Sequence, residues 1–152
     1  MGNENHFALA EMLIRKPANL VFEAFTNPEI TRKFWFTKGS GKLEQGNKID
    51  WTWEMYNHTV TVLVKEIVPN KSIVIEWGNY EELSSVSWTF KEITPESTFV
   101  SIKNEGFKGD NDVILSQIRD STEGFTLVLA GLKAYLEHNI QLNLIGDRFP
   151  KI

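Results

Sequence analysis

Apolar side chains recur along this chain in two rhythms, and the switches between them mark its elements. The run Phe7-Ala-Leu-Ala-Glu-Met-Leu-Ile14 alternates with period two and predicts a strand with Phe7, Leu9 and Leu13 on one face. Pro17 suits a first helical position, where a missing N–H costs nothing, and Leu20, Val21, Ala24 and Phe25 then form the apolar stripe of a short helix. Thr26-Asn27-Pro28-Glu29 reads as a second helix start, in which Asn27 caps, Pro28 presets φ and Glu29 suits the positive end. This second short helix carries Ile30 and runs into Phe34-Trp35-Phe36. Gly39, Gly41 and Gly46 punctuate a loop-rich stretch with one short strand expected around Leu43.

Period two then returns. Ile49, Trp51, Trp53 and Met55 alternate with Asp50, Thr52, Glu54 and Tyr56, the mark of a half-buried strand. Asn57-His58 is a tight turn, and Thr59 to Val68 is a second strand with Val60, Val62 and Val64 on one face. Pro69-Asn70-Lys71 turns the chain into a row of Ile73, Ile75 and Trp77, which Gly78-Asn79 ends. Val86, Trp88 and Phe90 make the next row, Thr94-Pro95-Glu96 the next turn, and Thr98, Val100 and Ile102 the last row. Strands spaced this closely are joined by hairpins, so the middle of the chain is an antiparallel meander. After Asp110-Asn111-Asp112, which offers N-caps, Ile114, Ile118, Phe125, Leu129, Leu132, Leu136 and Ile140 recur at helical spacing. They predict one long helix from Val113 to Leu144, with Gly146 as its stop.

A sheet with one inner face needs a cover, and only that helix is long enough to supply it. Gly124 and Gly131 lie inside it, seven apart and so on one face, although each costs about 1 kcal/mol relative to Ala there. Two readings stand: close helix–sheet packing that leaves no room for a Cβ, or space left for a cavity or kink. Trp51, Trp53, Trp77 and Trp88 fall on inner rows, and Trp35 lies at the rim. Buried indoles want partners for their N–H groups. So many of them suit either a large aromatic core or a wide interior with wet spots.

Composition narrows the class. The 152 residues fit one domain spanning residues 1–152 and can bury a core without staples. Cys is 0, which removes disulfides, thiol nucleophiles and thiolate metal sites. Lys+Arg of 16 against Asp+Glu of 20 gives a net charge of −4, the wrong sign for a general nucleic-acid binder. The polar start Met1-Gly2-Asn3-Glu4-Asn5-His6 is unlike a secretory leader, and no apolar run reaches the length of a membrane span. The expected address is the cytoplasm.

Catalytic signatures are sparse. His6, His58 and His138 are scattered, with no metal-binding spacing, and no nucleophile elbow, phosphate loop or dinucleotide fingerprint occurs. Glu11, Asp50, Glu54 and Glu76 alternate with inward residues and should face solvent. Arg32, Lys33, Lys38, Lys42 and Lys48 gather beside Phe34-Trp35-Phe36, and Glu81-Glu82 stands in a loop; both read as solvated surface. No cofactor or metal is expected, and whether the chain is an enzyme stays open.

Several runs carry a family resemblance. Pro17-Ala-Asn-Leu-Val-Phe-Glu-Ala-Phe25, Asn27-Pro-Glu-Ile-Thr-Arg-Lys-Phe-Trp35, the strand ending in Trp77, and Gly124-Phe-Thr-Leu-Val-Leu-Ala-Gly-Leu-Lys-Ala-Tyr-Leu-Glu137 resemble the START-like (Bet v 1-like, helix-grip) superfamily. Within it they resemble the branch named for the activator of Hsp90 ATPase homologue, with Phe125 where that branch usually has Trp. The resemblance spans nearly the whole chain. It implies an α+β helix-grip fold: a curved antiparallel sheet of about six or seven strands wrapped around a long C-terminal helix, with two short helices after the first strand. It also implies a cavity between sheet and helix for a hydrophobic, lipid-like small molecule. On this reading Trp35, Trp51, Trp53, Trp77, Trp88, Phe125 and Leu129 are the candidate ligand-binding residues. Other readings the fold permits are a co-chaperone-like module with a chaperone partner, and a cyclase- or hydrolase-type enzyme acting by shaping its substrate. The chain is expected to be a monomer or a homodimer, without membrane insertion or nucleic acid.

Overall fold

The computed structural model describes residues 6–78 and 83–150. Asn79 and Glu81-Glu82 lie outside the described residues. Strand β1 (Phe7–Ile14) leads into helices α1 (Ala18–Thr26) and α2 (Pro28–Thr31), and a two-residue strand β2 (Lys38–Gly39) follows. The meander comprises β3 (Lys48–Trp53), β4 (His58–Val68), β5 (Ser72–Trp77), β6 (Ser84–Thr94) and β7 (Ser97–Glu105). Helix α3 (Asn111–His138) and a short α4 (Leu144–Arg148) complete the chain. The sheet has seven strands in the order β1-β7-β6-β5-β4-β3-β2, every pair antiparallel. This is the expected α+β helix-grip arrangement, with the long helix set against the inner face of the sheet.

The inner rows of the meander are as the alternation predicts. Ile49, Trp51, Trp53, Val62, Val64, Ile73, Ile75, Val86, Trp88, Phe90, Val100 and Ile102 are all buried. The turns between them use left-handed residues where the sequence offers Asn: Asn57 at φ 49° and Asn70 at φ 63°. Thr98 joins the inner row because its hydroxyl donates to the Lys16 carbonyl at 2.9 Å. The face of β1, however, is the reverse of the expected one. Ala8, Ala10 and Ile14 point inward, whereas Leu9 is 40% exposed. The register explains it: Ala8, Ala10 and Ile14 stand opposite Asn104, Ile102 and Thr98 of the inner row of β7. The alanines let α3 approach β1 closely, and the bulky Phe7 sits under the Lys103 ammonium at 4.4 Å on the outer side.

Three other expectations are corrected. Leu43 is a buried loop residue whose N–H donates to the Thr26 carbonyl, and the short strand lies earlier, at β2. The strand through Trp53 stops there, because residues Glu54–Tyr56 form a 3₁₀ turn that carries Met55. Helix α3 ends at His138 rather than Leu144: Asn139 adopts a left-handed conformation (φ 55°), and the chain leaves the helix axis. Ile140 is therefore half exposed, and Gly146 lies inside α4 instead of stopping α3.

Candidate functional site

Trp35 is placed by the two short helices. Asn27 caps α2 by accepting the Glu29 N–H at 3.1 Å, with Pro28 at the first position as the sequence predicts. The buried Thr31 hydroxyl donates to the carbonyls of Ala24 and Asn27 at 2.5 and 3.0 Å, which binds α2 to α1. Trp35 then continues the turn through its N–H to the Thr31 carbonyl at 3.0 Å. Its indole lies within about 7 Å, centroid to centroid, of seven aromatic rings, an aromatic hub typical of edge-to-face packing. Among them Trp77 and Phe125 are 5.9 and 5.6 Å away, and those two rings stack on each other at 5.8 Å.

Beside this trio lies a cleft of about 440 Å³, open on one side. Trp35, Trp77 and Phe125 form its apolar floor. Its other walls are Asn104 of β7, Phe107 and Lys108 just after that strand, Ser84 at the start of β6, and Gln117, Asp120, Ser121 and Gly124 along α3. Spacings of three, four and seven put those four helix residues on one face. Ile145 of α4 reaches the same cleft and, together with Trp77 and Ser84, also bounds a second hollow of about 410 Å³ beside Trp53, His58 and Val60. Its segment is held by the Tyr56 hydroxyl donating to the Ile145 carbonyl, and by Arg148, which bonds both Glu123 carboxylate oxygens at 2.7 and 3.1 Å. That hydrogen bond and the guanidinium's charge lower the Glu123 carboxyl below its ordinary pKa.

The sequence-predicted residues divide into two groups. Trp35, Trp77 and Phe125 meet at the cleft, and Trp53 lines the second hollow. Trp51, Trp88 and Leu129 are instead fully buried behind them and do not border either space. The reason is position along the elements: Trp51 and Trp88 lie where strands are covered by α1, α2 and the aromatic cluster, whereas Trp77 ends its strand at the open edge. Leu129 sits one turn past Phe125, where α3 has reached the core. The two glycines also divide. A Cβ on Gly131 would lie 3.3 Å from Phe34 Cβ, so this is the close-packing case; a Cβ on Gly124 would meet nothing within 4 Å, so this one opens space.

The polar wall was missed by periodicity, because Asn104 occupies an ordinary inner position of β7. It is 3% exposed. Its Nδ2 donates to Ser84 Oγ at 3.0 Å and to the Ser85 carbonyl at 2.8 Å, and its Oδ1 accepts the Ser121 hydroxyl at 2.9 Å. An Asn at the end of an apolar row was the available signal. The basic run behaves as solvated surface: Arg32, Lys38, Lys42 and Lys48 are exposed while Phe34, Trp35 and Phe36 turn inward. Among the described residues no cluster of His, Asp and Glu suits a metal ion, and no helix is long and apolar enough to cross a membrane.

Comparison with known proteins places this architecture. SSP2350 from Staphylococcus saprophyticus is 28% identical and superposes with a TM-score of 0.77 over 90% of this chain and 95% of that one. The Aha1 dimer from Colwellia psychrerythraea superposes at 0.75 with 18% identity, over 87% and 96% of the two chains. PFC0360w, an Hsp90 activator from Plasmodium falciparum, gives 0.68 with 18% identity, over 86% and 96%. At 18% identity the latter two show the shared fold. No curated protein matches the sequence. The family model described as Activator of Hsp90 ATPase homolog 1-like protein matches residues 15–137, from the end of β1 to the end of α3, and the chain belongs to that family.

Proposed function

We propose that the protein binds a small, predominantly apolar molecule in the cleft between the sheet and α3. The observation that carries this reading is the three-ring floor of Trp35, Trp77 and Phe125 beneath an open space of about 440 Å³. That volume falls in the range of about 300–1,000 Å³ usual for small-molecule sites, which are mostly apolar with a few placed polar groups. Gly124 supports it further, since a glycine inside a helix lowers stability by about 1 kcal/mol and here keeps the space clear. Covering the floor removes aromatic surface from water, which drives binding at about 25 cal/mol per Å².

Titration with a flavonol, a long-chain alcohol and an environment-sensitive naphthalene dye tests the reading through tryptophan fluorescence. Saturable quenching is expected for at least one, with affinity reduced roughly tenfold in Trp77→Ala. Absence of a saturable response to all of them overturns it. A second reading, engagement of a chaperone of the Hsp90 class, is favoured by the family match over residues 15–137. A pull-down and ATPase assay with the cognate chaperone decides that case; no capture and no change in ATPase rate removes it.

A further inference from the structure

Three residues of the cleft, Trp77, Ser84 and Ile145, also border the second hollow, so the two spaces adjoin along a common line. The second hollow takes Trp53 and the half-buried Val60 from the sheet and, among the described residues, nothing from α3. Two of the three shared residues are fixed by the sheet, since Trp77 ends β5 and stands opposite Ser84, the first residue of β6. Ile145 alone comes from α4, and α4 is lightly attached. None of its residues is buried, and Asn143 at its start gives it no side-chain cap. The connector from α3 begins and ends on left-handed asparagines, Asn139 at φ 55° and Asn143 at φ 58°. Side-chain tethers come from the Tyr56 hydroxyl on the Ile145 carbonyl and from the exposed Arg148–Glu123 pair. Exposed ion pairs contribute little, and segments with few buried contacts are the first to open.

We propose that the two hollows are halves of one site for an elongated apolar molecule of alkyl-chain type, and that α4 is the strap this molecule displaces. The inference rests on the cleft being a ligand site. The occupant runs past Trp77 from the α3 side to the Trp53 side and takes the place of the Ile145 side chain. That exchange costs little, because Ile145 is half-buried against the edge of the core and the occupant covers with its own apolar surface what Ile145 uncovers. A compact molecule fills the first cleft alone and leaves the strap in place.

A compact probe, 2-naphthol, and an elongated one, decan-1-ol, titrated calorimetrically into the full chain, test this. Val60→Trp narrows the second hollow and should weaken decan-1-ol about tenfold, the worth of roughly two buried methylenes, with 2-naphthol unchanged. Val60→Phe should do the same to a smaller degree, so a folding fault in the tryptophan variant cannot imitate the result. Gly124→Leu narrows the first cleft and should weaken both probes. Tyr56→Phe combined with Arg148→Gln frees the strap and should tighten decan-1-ol about threefold with 2-naphthol unchanged, since displacement then opposes binding less. The proposal is overturned, with the cleft reading left standing, if the parent chain binds 2-naphthol but not decan-1-ol. The same holds if both Val60 variants treat the two probes alike, or if freeing the strap leaves decan-1-ol unchanged. Binding of neither probe to the parent chain overturns the cleft reading as well.

Discussion

Gly124 and Gly131 stand two turns apart on α3 and meet opposite surroundings. At Gly124 an added methyl group enters open space, so Gly124→Ala should raise stability by about 0.5–1 kcal/mol through helix propensity. The same methyl intrudes on the cleft, so ligand affinity should fall. At Gly131 the methyl would stand 3.3 Å from Phe34 Cβ and 3.4 Å from the Phe34 carbonyl oxygen, backbone-anchored atoms that yield only if the Trp35 turn shifts. Overpacking of about 1–3 kcal/mol then exceeds the propensity gain, and Gly131→Ala should be net destabilising by about 1 kcal/mol. Urea denaturation of both variants checks the pair; shifts of the same sign would refute the distinction. The spacing in the sequence put both glycines on one face but left their roles open, because the difference lies in what crosses opposite each one. The Asn104–Ser84–Ser121 network was hidden for a similar reason. Its three members come from β7, β6 and α3, and no local pattern joins them.

At the scale of elements, the end of α3 is fastened to the end of β1. Glu137, with a side chain only 9% exposed, accepts the Arg15 N–H at 2.8 Å and the Lys133 ammonium at 2.7 Å, and Lys133 also donates to the Leu13 carbonyl. Burial pushes the Glu137 carboxyl up, but those two hydrogen bonds, together with the nearby positive charges of Lys133 and His138, outweigh it and hold the group below its ordinary value of 4.5. A carboxyl lowered in this way contributes stability in full above about pH 4.5, and the contribution is lost as the pH falls through the folded value. Thermal melts of Glu137→Gln should therefore lie below the parent at pH 7 and converge toward it in acid; parallel curves from pH 7 to pH 3 would contradict this. The existence of α3 was legible from its apolar spacing, whereas its end was not. Ile140 continues the periodicity on paper, yet the left-handed Asn139 turns the chain away. Likewise the size of Phe7, Leu9 and Leu13 suggested the wrong face of β1, because nearness to α3 selected the small alanines instead.

Across the whole molecule, one side chain joins the short helices, the sheet and α3. Trp35 packs on Phe25 of α1, on Trp51 and Trp53 of β3, on Trp77 and Trp88, and on Phe125. Trp35→Ala should cost about 3–5 kcal/mol in chemical denaturation, as large-to-small changes in a core do. A loss under about 1 kcal/mol would show that the hub is peripheral. The antiparallel meander was readable from its turns, and the helix-grip arrangement from the family-like runs around Pro17, Trp35 and Gly124. The cleft was readable only as a region between sheet and helix, since its outline depends on which side chains of β6, β7 and α3 meet there and on Ile145 of α4 beside them. The sheet order has a further effect on how the chain is made. Phe7 to Ile14 align with Glu105 to Thr98, so the first strand leaves the ribosome long before its neighbour exists. At about 5–20 residues per second that wait lasts seconds, whereas each strand of the meander can pair within its next hairpin. During synthesis the open edge most in need of protection is therefore the amino-terminal one. That strand carries Phe7, Leu9, Met12, Leu13 and Ile14 with Glu11 as its one charge, so an apolar edge waits uncovered through this interval.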